Sequence, residues 1–294
     1  MRGHIPTFRI LLASGLAALL TALPGAARAQ TAGAPPAAID TPAVAQLDPD
    51  LRADPLQPDF ALAALPTTLR IPSGRFSFRL THRFSRPIDQ DGVGEFFADF
   101  FGFDSAAQIG LELRYGIRPG TQATVYRTNN RDIQFLGQHE LLRQDDAVPV
   151  TVHALVAVQG ADNFSEDFAT TIGAVVSRRV ADRAMLYAQP VVVLNASPLP
   201  GDEVDDDHAV MLGVGARVRI GASQTYVVAE YAPRVAGYDA GVDHASVAIE
   251  KRYGGHVFQF NVSNGLGTSF RQLARGGPPS EDWFIGFNLT RRFY

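Results

Sequence analysis

The fold of this chain is decided by one alternating stretch, residues 75–84, which reads RFSFRLTHRF. From Phe76 to Phe84 every second side chain is aromatic or apolar, with His82 in the same set, and arginine, serine or threonine lies between them. Side chains of a β-strand point alternately to its two faces. This period of two therefore predicts a strand with one apolar face and one polar face.

The same alternation recurs along the chain and predicts about twelve strands. They begin near Arg75, Ala106, Thr121, Ile133, Val148, Phe168, Arg183, His208, Gln224, Val242, His256 and Trp283. The seventh contains Pro190, which lacks a ladder donor and predicts a bulge or a shifted boundary. The connections are alternately short and mostly long, which is typical of outer-membrane barrels with tight periplasmic turns. We predict an all-β fold, an antiparallel up-and-down transmembrane β-barrel, over residues 73–294.

Alternation alone does not tell which face points outward. Strands of about ten residues, aromatic residues near the strand ends and an export signal favour a membrane, where the apolar face meets lipid. The predicted lipid-facing side chains are Phe76, Phe78, Leu80, Leu111, Leu113, Trp283, Ile285, Phe287 and Leu289. The alternative is a soluble exported β-barrel that binds a hydrophobic ligand inside.

Two segments precede the predicted barrel. Residues 1–29 have the pattern of a secretory signal peptide, with Arg2 and Arg9 near the start, an apolar run over 10–23 and a small-x-small cleavage site at 27–29. Residues 30–72 are rich in proline and alanine and show no period, which predicts a disordered periplasmic arm. Such an arm has either no specific role or a docking site on or in the barrel. The predicted location is the bacterial outer membrane.

Composition excludes several classes of function. The chain has no cysteine, which excludes disulfides, cysteine–zinc sites and thiol catalysis. The formal net charge of −4 gives no electrostatic support for nucleic-acid binding. We therefore predict no cofactor, no metal and no nucleic-acid partner.

The polar face of the strands is predicted to line the lumen. Its charged members are Arg75, Arg79, Arg83, Glu112, Arg114, Arg217, Arg219, Glu230, Glu250, Arg252 and Arg292. Arginine is in excess, which predicts either a narrow small-solute channel that favours anions or a structural barrel whose lumen is filled by an Arg–Glu network.

A hydrolase is a further alternative, because Ser263-Asn264-Gly265 is similar to part of the His-x-Ser-Asn-Gly stretch of outer-membrane phospholipases. The pattern needs a histidine base two residues before the serine, and Asn261 stands there. No catalytic residue is predicted.

Three short runs resemble an uncharacterised bacterial β-barrel family known only as a domain of unknown function. They are LTHRF at 80–84, FFGFDS at 100–105 and Tyr115-Gly116. The resemblance covers roughly residues 71–294 and implies an outer-membrane-type barrel without implying an activity. The aromatic end, Phe293-Tyr294, also resembles that of outer-membrane proteins. The expected partners are the barrel-insertion machinery, outer-membrane lipid and lipopolysaccharide, and the oligomeric state stays open.

Overall fold

The computed structural model describes residues 49–52, 54–88, 106–145, 147–198, 207–278 and 282–294. The predicted signal peptide and the first part of the predicted arm lie outside the described residues. Within these ranges, no helix is both long and apolar enough to cross a bilayer.

Within the described ranges, thirteen strands form one antiparallel sheet. They are β1 (Phe76–Pro87), β2 (Ala107–Arg118), β3 (Thr121–Thr128), β4 (Ile133–Leu142), β5 (Thr151–Ala161), β6 (Glu166–Val180), β7 (Ala184–Leu194), β8 (Ala209–Arg219), β9 (Thr225–Ala232), β10 (Arg234–Gly237), β11 (His244–Tyr253), β12 (His256–Ser263) and β13 (Phe284–Arg292). A short helix, α1 (Phe270–Ala274), lies between β12 and β13, and a 3₁₀ turn covers Pro49–Leu51.

The sheet closes on itself. Leu80 of β1 is the register partner of Leu111 in β2 and of Leu289 in β13, so the first strand joins the last. β9 and β10 both pair with β8 and form one strand of the wall, interrupted at Pro233 because proline has no N–H to donate. The result is a closed antiparallel barrel of 12 strands, which confirms the predicted fold class.

The two ends of the barrel differ in their connections. At the short-turn end, the connections include residues 119–120, 181–183 and 254–255. At the long-loop end, β1 and β2 are joined through residues 88–106 and β12 and β13 through 264–283. The predicted alternation holds in part, because residues 129–132 and 162–165 at the long-loop end are short connections and residues 143–150 at the other end are longer than both.

Pro190 does not produce the predicted bulge. The register between β6 and β7 is the same on both sides of Pro190, since Gly173 pairs with Val191 and Val176 pairs with Ala188. Pro190 is the register partner of Leu212 in β8. Between those two β6–β7 pairs no residues are paired, so the missing N–H of the proline costs the ladder no hydrogen bond. Gly173, which has no side chain, leaves room for the close approach of the Pro190 carbonyl.

The wall is apolar outside and polar inside. Leu111 and Leu113 are 46% and 50% exposed, whereas Glu112 and Arg114 beside them are 8% and 2% exposed. This pattern is the opposite of what a soluble carrier with an apolar interior requires, so that alternative does not fit.

Most of the predicted lipid-facing side chains lie on the outer surface. Phe76, Leu111, Leu113 and Trp283 are exposed, and Phe78, Leu80, Phe287 and Leu289 are partly exposed. Ile285 is the exception and is 9% exposed, because Phe84, Ile88 and Phe287 pack around it. Phe287 lies on the same outer face, so the lipid contact of Ile285 stays a prediction.

The predicted disorder over residues 30–72 is not what the structure shows for the described second half of that segment. Residues 56–72 are buried, apart from the half-buried Arg70. The chain enters the lumen from the short-turn end, turns back where the Leu62 N–H donates to the Leu65 carbonyl at 2.8 Å, and returns to begin β1. A second hydrogen bond, from the Thr67 N–H to the Phe60 carbonyl, closes this turn. We call residues 54–71 the plug hairpin.

Candidate functional site: a filled lumen

The tip of the plug hairpin is held by one carboxylate of the wall. Glu230 of β9 accepts hydrogen bonds from the backbone N–H groups of Ala63 (3.0 Å), Ala64 (2.8 Å) and Leu65 (3.1 Å). Its other contact is Nε2 of His244, at 2.8 Å, and its side chain is fully buried. Successive backbone N–H groups that converge on one anion form a nest, and hydrogen bonds to a charged acceptor are the stronger kind. Glu230 therefore fixes the tip in the middle of the barrel.

The Ala63 carbonyl is bound from the opposite side of the tip. It accepts hydrogen bonds from Nη2 of Arg79 (2.7 Å), Nη2 of Arg83 (3.2 Å) and Nδ2 of Asn288 (3.0 Å). These side chains come from β1 and β13, the two strands that meet at closure. The hairpin tip is thus tied to both sides of the seam.

A buried ion pair joins the hairpin to β8, β11 and β12. Arg217 lies 3.1 Å from Glu250, and its Nη2 also donates to the Ala61 carbonyl at 2.7 Å. Gln259 donates to both Glu250 and the Leu62 carbonyl at 3.0 Å. A buried ion pair by itself stabilises little, because both charges lose water. Here the carbonyls of the hairpin supply the additional acceptors that such a pair needs.

Glutamines of the wall bind further carbonyls of the hairpin. Gln189, Gln138 and Gln122 donate to the carbonyls of Pro66 (2.6 Å), Thr67 (3.2 Å) and Leu69 (3.2 Å). Buried backbone groups in native structures are nearly always paired, and a proline-rich segment without strand neighbours must find those partners elsewhere. The wall side chains take the place of a neighbouring strand, so the hairpin is an integral part of the fold.

The lower part of the hairpin is packed between arginines. The Phe60 ring lies 5.1 Å from the Arg114 guanidinium carbon and 5.3 Å from that of Arg292, both cation–π distances. Arg292 also donates to the carbonyls of Gln57 and Pro58. Tyr294 packs against the apolar cluster of Phe60, Leu69 and Ile71, so its side chain faces the hairpin. The side chain of Phe293 faces outward.

Ion pairs fasten the hairpin at the short-turn mouth, which forms a polar pocket of about 450 Å³. Arg70 pairs with Asp50 and, at 3.1 Å, with Glu140 of the wall, while Asp54 pairs with Arg179 at 3.0 Å. Asp145 lies in the turn beside this pocket, and hydrogen bonds from the N–H groups of Val148 and Ala147 lower the pKa of its carboxyl.

The long-loop end is closed by α1. Phe270, Leu273 and Ala274 are buried in the same apolar cluster as Leu62 and Leu65 of the plug hairpin. The cavity left between the two elements has a volume of about 30 Å³, room for about one water molecule. Lumen-filling elements therefore meet from both ends of the barrel.

One aspartate holds α1 in place. Asp167, at the start of β6, forms ion pairs with Arg271 and, at 3.1 Å, with Arg275, and its carbonyl accepts from Arg271 Nη1 at 2.5 Å. Its φ of 53° lies in the left-handed region, which non-glycine residues rarely adopt. The Ser269 hydroxyl caps the helix by accepting from the Gln272 N–H.

The structure brings most of the predicted lumen residues together and leaves three at the rim. Buried inside are Arg79, Arg83, Glu112, Arg114, Arg217, Glu230, Glu250 and Arg292. Arg219 and Arg252 are half-buried and bind turn carbonyls at the short-turn end, and Arg75 is exposed. The prediction that Arg75 lines the lumen is corrected, because β1 begins only at Phe76.

Sequence reasoning missed the hairpin residues that fill the lumen. Leu56, Phe60, Leu62 and Leu65 stand in a proline-rich segment and are all buried. The large apolar side chains are the sequence signal for burial of this segment, because segments that stay disordered in water contain few of them.

The serine singled out by the hydrolase alternative is not paired with a base. Ser263 is fully buried and its hydroxyl donates to the Gly265 carbonyl at 2.8 Å. His244 is bound to Glu230, and His256 contacts Arg291 and stacks on Phe258. Within the described ranges, no cluster of three or more histidine, aspartate and glutamate side chains is placed to hold a metal ion.

Comparison with known proteins identifies one family. A family model described as a membrane bound beta barrel domain (DUF5777) matches residues 59–293, which confirms the resemblance found in the sequence. No curated protein sequence matches the chain.

The solved structures that match this chain are remote in sequence. An outer membrane channel from Pseudomonas putida F1 is 10% identical, with 76% of this chain and 97% of that one covered and a TM-score of 0.45. For the outer membrane phospholipase A of Escherichia coli the identity is 10%, the coverage 75% and 90%, and the TM-score 0.42. A mutant Rh. blastica porin is 12% identical over 63% of this chain, with a TM-score of 0.33, and the chain spans 55% of that porin's length.

Proposed function

Because the chain belongs to the family of membrane bound beta barrel domains (DUF5777), we propose that it is an outer-membrane barrel with a filled lumen that conducts no solute in this state. Its short turns lie in the periplasm and its long loops face outward, as in other barrels with this sorting of connections. It is a structural barrel in this state, and we assign no catalytic role to Ser263.

One observation carries the proposal: wall side chains bind backbone groups along the whole length of the plug hairpin. Hydrogen bonds to charged acceptors contribute about 1.5–3 kcal/mol each, so release of the three N–H groups at Glu230 alone costs roughly 5 kcal/mol.

The charge of the wall favours a second candidate, an anion channel that opens when the hairpin leaves. Arg79, Arg83, Arg114, Arg217 and Arg292 face the lumen, against Glu112, Glu230 and Glu250. Rings of arginine favour anions in pores. Removal of the hairpin also removes Asp59, which lies 3.8 Å from Arg79, and so increases the positive excess.

The test uses a covalent lock between hairpin and wall. The hydroxyls of Thr68 and Ser177 lie 2.5 Å apart, and the chain has no cysteine, so Thr68→Cys with Ser177→Cys forms a single disulfide. We expect planar-bilayer conductance to be near zero for the wild type and for the variant, oxidised or reduced. Steady wild-type conductance that oxidation of the variant leaves unchanged overturns the filled lumen. Steady conductance that oxidation abolishes supports the anion channel instead.

Location is tested separately by fractionation of a bacterium that expresses the full chain. We expect the protein in the outer-membrane fraction and soluble only in detergent. Recovery of folded protein from the soluble fraction contradicts the proposal.

A further inference from the structure

An apolar groove runs over the outer face of β11, β12 and β13. Two adjacent rows of register partners line it, and one of the rows begins with a lysine. The rows are Ile249, Phe260 and Phe287, then Lys251, Phe258 and Leu289. The groove has a volume of about 510 Å³, and it faces the region that lipid acyl chains occupy around a membrane barrel.

Two cations border this groove on its short-turn side. The ammonium of Lys251 donates to the Thr225 hydroxyl at 3.0 Å. Arg291 lies 3.1 Å from Nδ1 of His256, its register partner, and its guanidinium sits 5.7 Å from the Phe293 ring. In the part of the chain that the structure describes, neither cation has a carboxylate oxygen within 4.0 Å.

The surroundings of these two cations differ from those of the lumen arginines. Lumen arginines bind glutamates of the wall, as Arg114 and Arg217 do, or carbonyls of the plug hairpin, as Arg83 and Arg292 do. Lys251 and Arg291 instead leave two positive charges on the lipid side, near the strand ends where phospholipid headgroups lie. A phosphate is the anion that this layer of the membrane supplies.

We propose that Lys251 and Arg291 bind the phosphate of an anionic phospholipid of the periplasmic leaflet, with one acyl chain in the groove. The inference rests on the proposed function in that the barrel must span the outer membrane with its short turns in the periplasm. The two cations stand two strands and two residues apart, about 12 Å, which two long side chains span above Phe258 once the Lys251 ammonium turns away from Thr225. His256 positions Arg291 through their hydrogen bond.

The test is native mass spectrometry of the full-length protein in detergent, titrated with phosphatidylglycerol or with phosphatidylcholine of the same chains. Each basic side chain near a membrane surface contributes about fivefold in affinity, so Lys251→Gln with Arg291→Gln is expected to weaken phosphatidylglycerol binding about 25-fold. Arg118→Gln with Arg183→Gln removes the same charge from exposed positions at the same end and is the matched control.

The groove is tested by Leu289→Trp, which fills it and is expected to weaken binding of both lipids. The proposal is overturned if the wild type binds phosphatidylcholine as tightly as phosphatidylglycerol. It is also overturned if the control pair loses as much affinity as the Lys251 and Arg291 pair. A folded, non-conducting barrel that fails these tests contradicts this inference alone, whereas a protein that needs no detergent contradicts the proposed function.

Discussion

Glu230 accepts a hydrogen bond of 2.8 Å from the backbone N–H of Ala64, a residue 166 positions earlier in the chain. Glu230→Gln keeps the side-chain volume but removes the charge. The hydrogen bonds from the Ala63, Ala64 and Leu65 N–H groups become weaker, because an amide oxygen is a weaker acceptor than a carboxylate. We expect the docking of the plug hairpin to weaken by about 3 kcal/mol and bilayer recordings to show openings that are absent in the wild type.

The matched control for that change is Glu112→Gln. Glu112 is also a buried acid of the lumen, but the hydrogen bonds it accepts come from Arg114 of the same strand. Recordings of this control are expected to stay closed. Equal behaviour of the two variants contradicts the assignment of Glu230 as the residue that holds the tip.

Phe60→Leu tests the aromatic contact between hairpin and wall. Leucine retains apolar volume but has no π-face for Arg114 and Arg292, so we expect the barrel to lose about 1–3 kcal/mol of stability against urea. The unfolding midpoint can be followed by the heat-dependent shift in gel mobility. Phe135→Leu, at an exposed position of β4, is the control and is expected to change the midpoint little. An unchanged midpoint for Phe60→Leu rules out the cation–π contribution.

Asp167→Asn is expected to release α1 from the long-loop mouth. The change removes the charge shared by Arg271 and Arg275, and Arg271 is almost fully buried in the wild type. Trypsin cleaves after arginine, so limited proteolysis should cut the variant at these positions at least tenfold faster than the wild type, a ratio that corresponds to about 1.4 kcal/mol. Glu166→Gln, an exposed neighbour, should be cut at the wild-type rate. Protection of both variants means that Asp167 does not hold the helix.

Gly116→Ala is expected to strain the place where the hairpin passes into β1. An added methyl group there meets the backbone carbonyls of Pro72 and Ile71, which cannot rotate away as a side chain would. We expect a loss of about 1–3 kcal/mol, measured as a lower melting temperature. Gly137→Ala is the control, because the nearest atom to its added carbon is 4.0 Å away. If the melting temperature equals that of the control, the backbone accommodates the added methyl group without loss of stability.

The wall of the barrel could be predicted from sequence because its signal is local. Side chains two residues apart share a face, so the alternation around Leu111, Glu112 and Leu113 gives both the strand and its two environments. The exposed side of that pattern proved to be the apolar one. The alternation does not give the degree of exposure, since three neighbouring apolar side chains cover Ile285.

A filled lumen was one of the predicted alternatives, but the residues that fill it could not be predicted because their partners are distant in sequence. The hairpin has no repeating pattern, and its backbone is paired by side chains such as Glu230 and Gln259 that belong to other strands. The helix α1 has 5 residues, too few to show a helical period. Arg79 and Arg83 were recognised as lumen residues, but nothing in their spacing indicates that the Ala63 carbonyl is their acceptor.

The plug hairpin has to match the circumference of the barrel. Its hydrogen-bond partners come from strands spread all around the wall, among them β1, β4, β7, β9 and β12. The diameter of a barrel grows with the number of its strands, whereas the width of this hairpin is constant. A relative that gained or lost a strand pair would hold its wall at the wrong distance, so the number of strands and the sequence of the hairpin must change together.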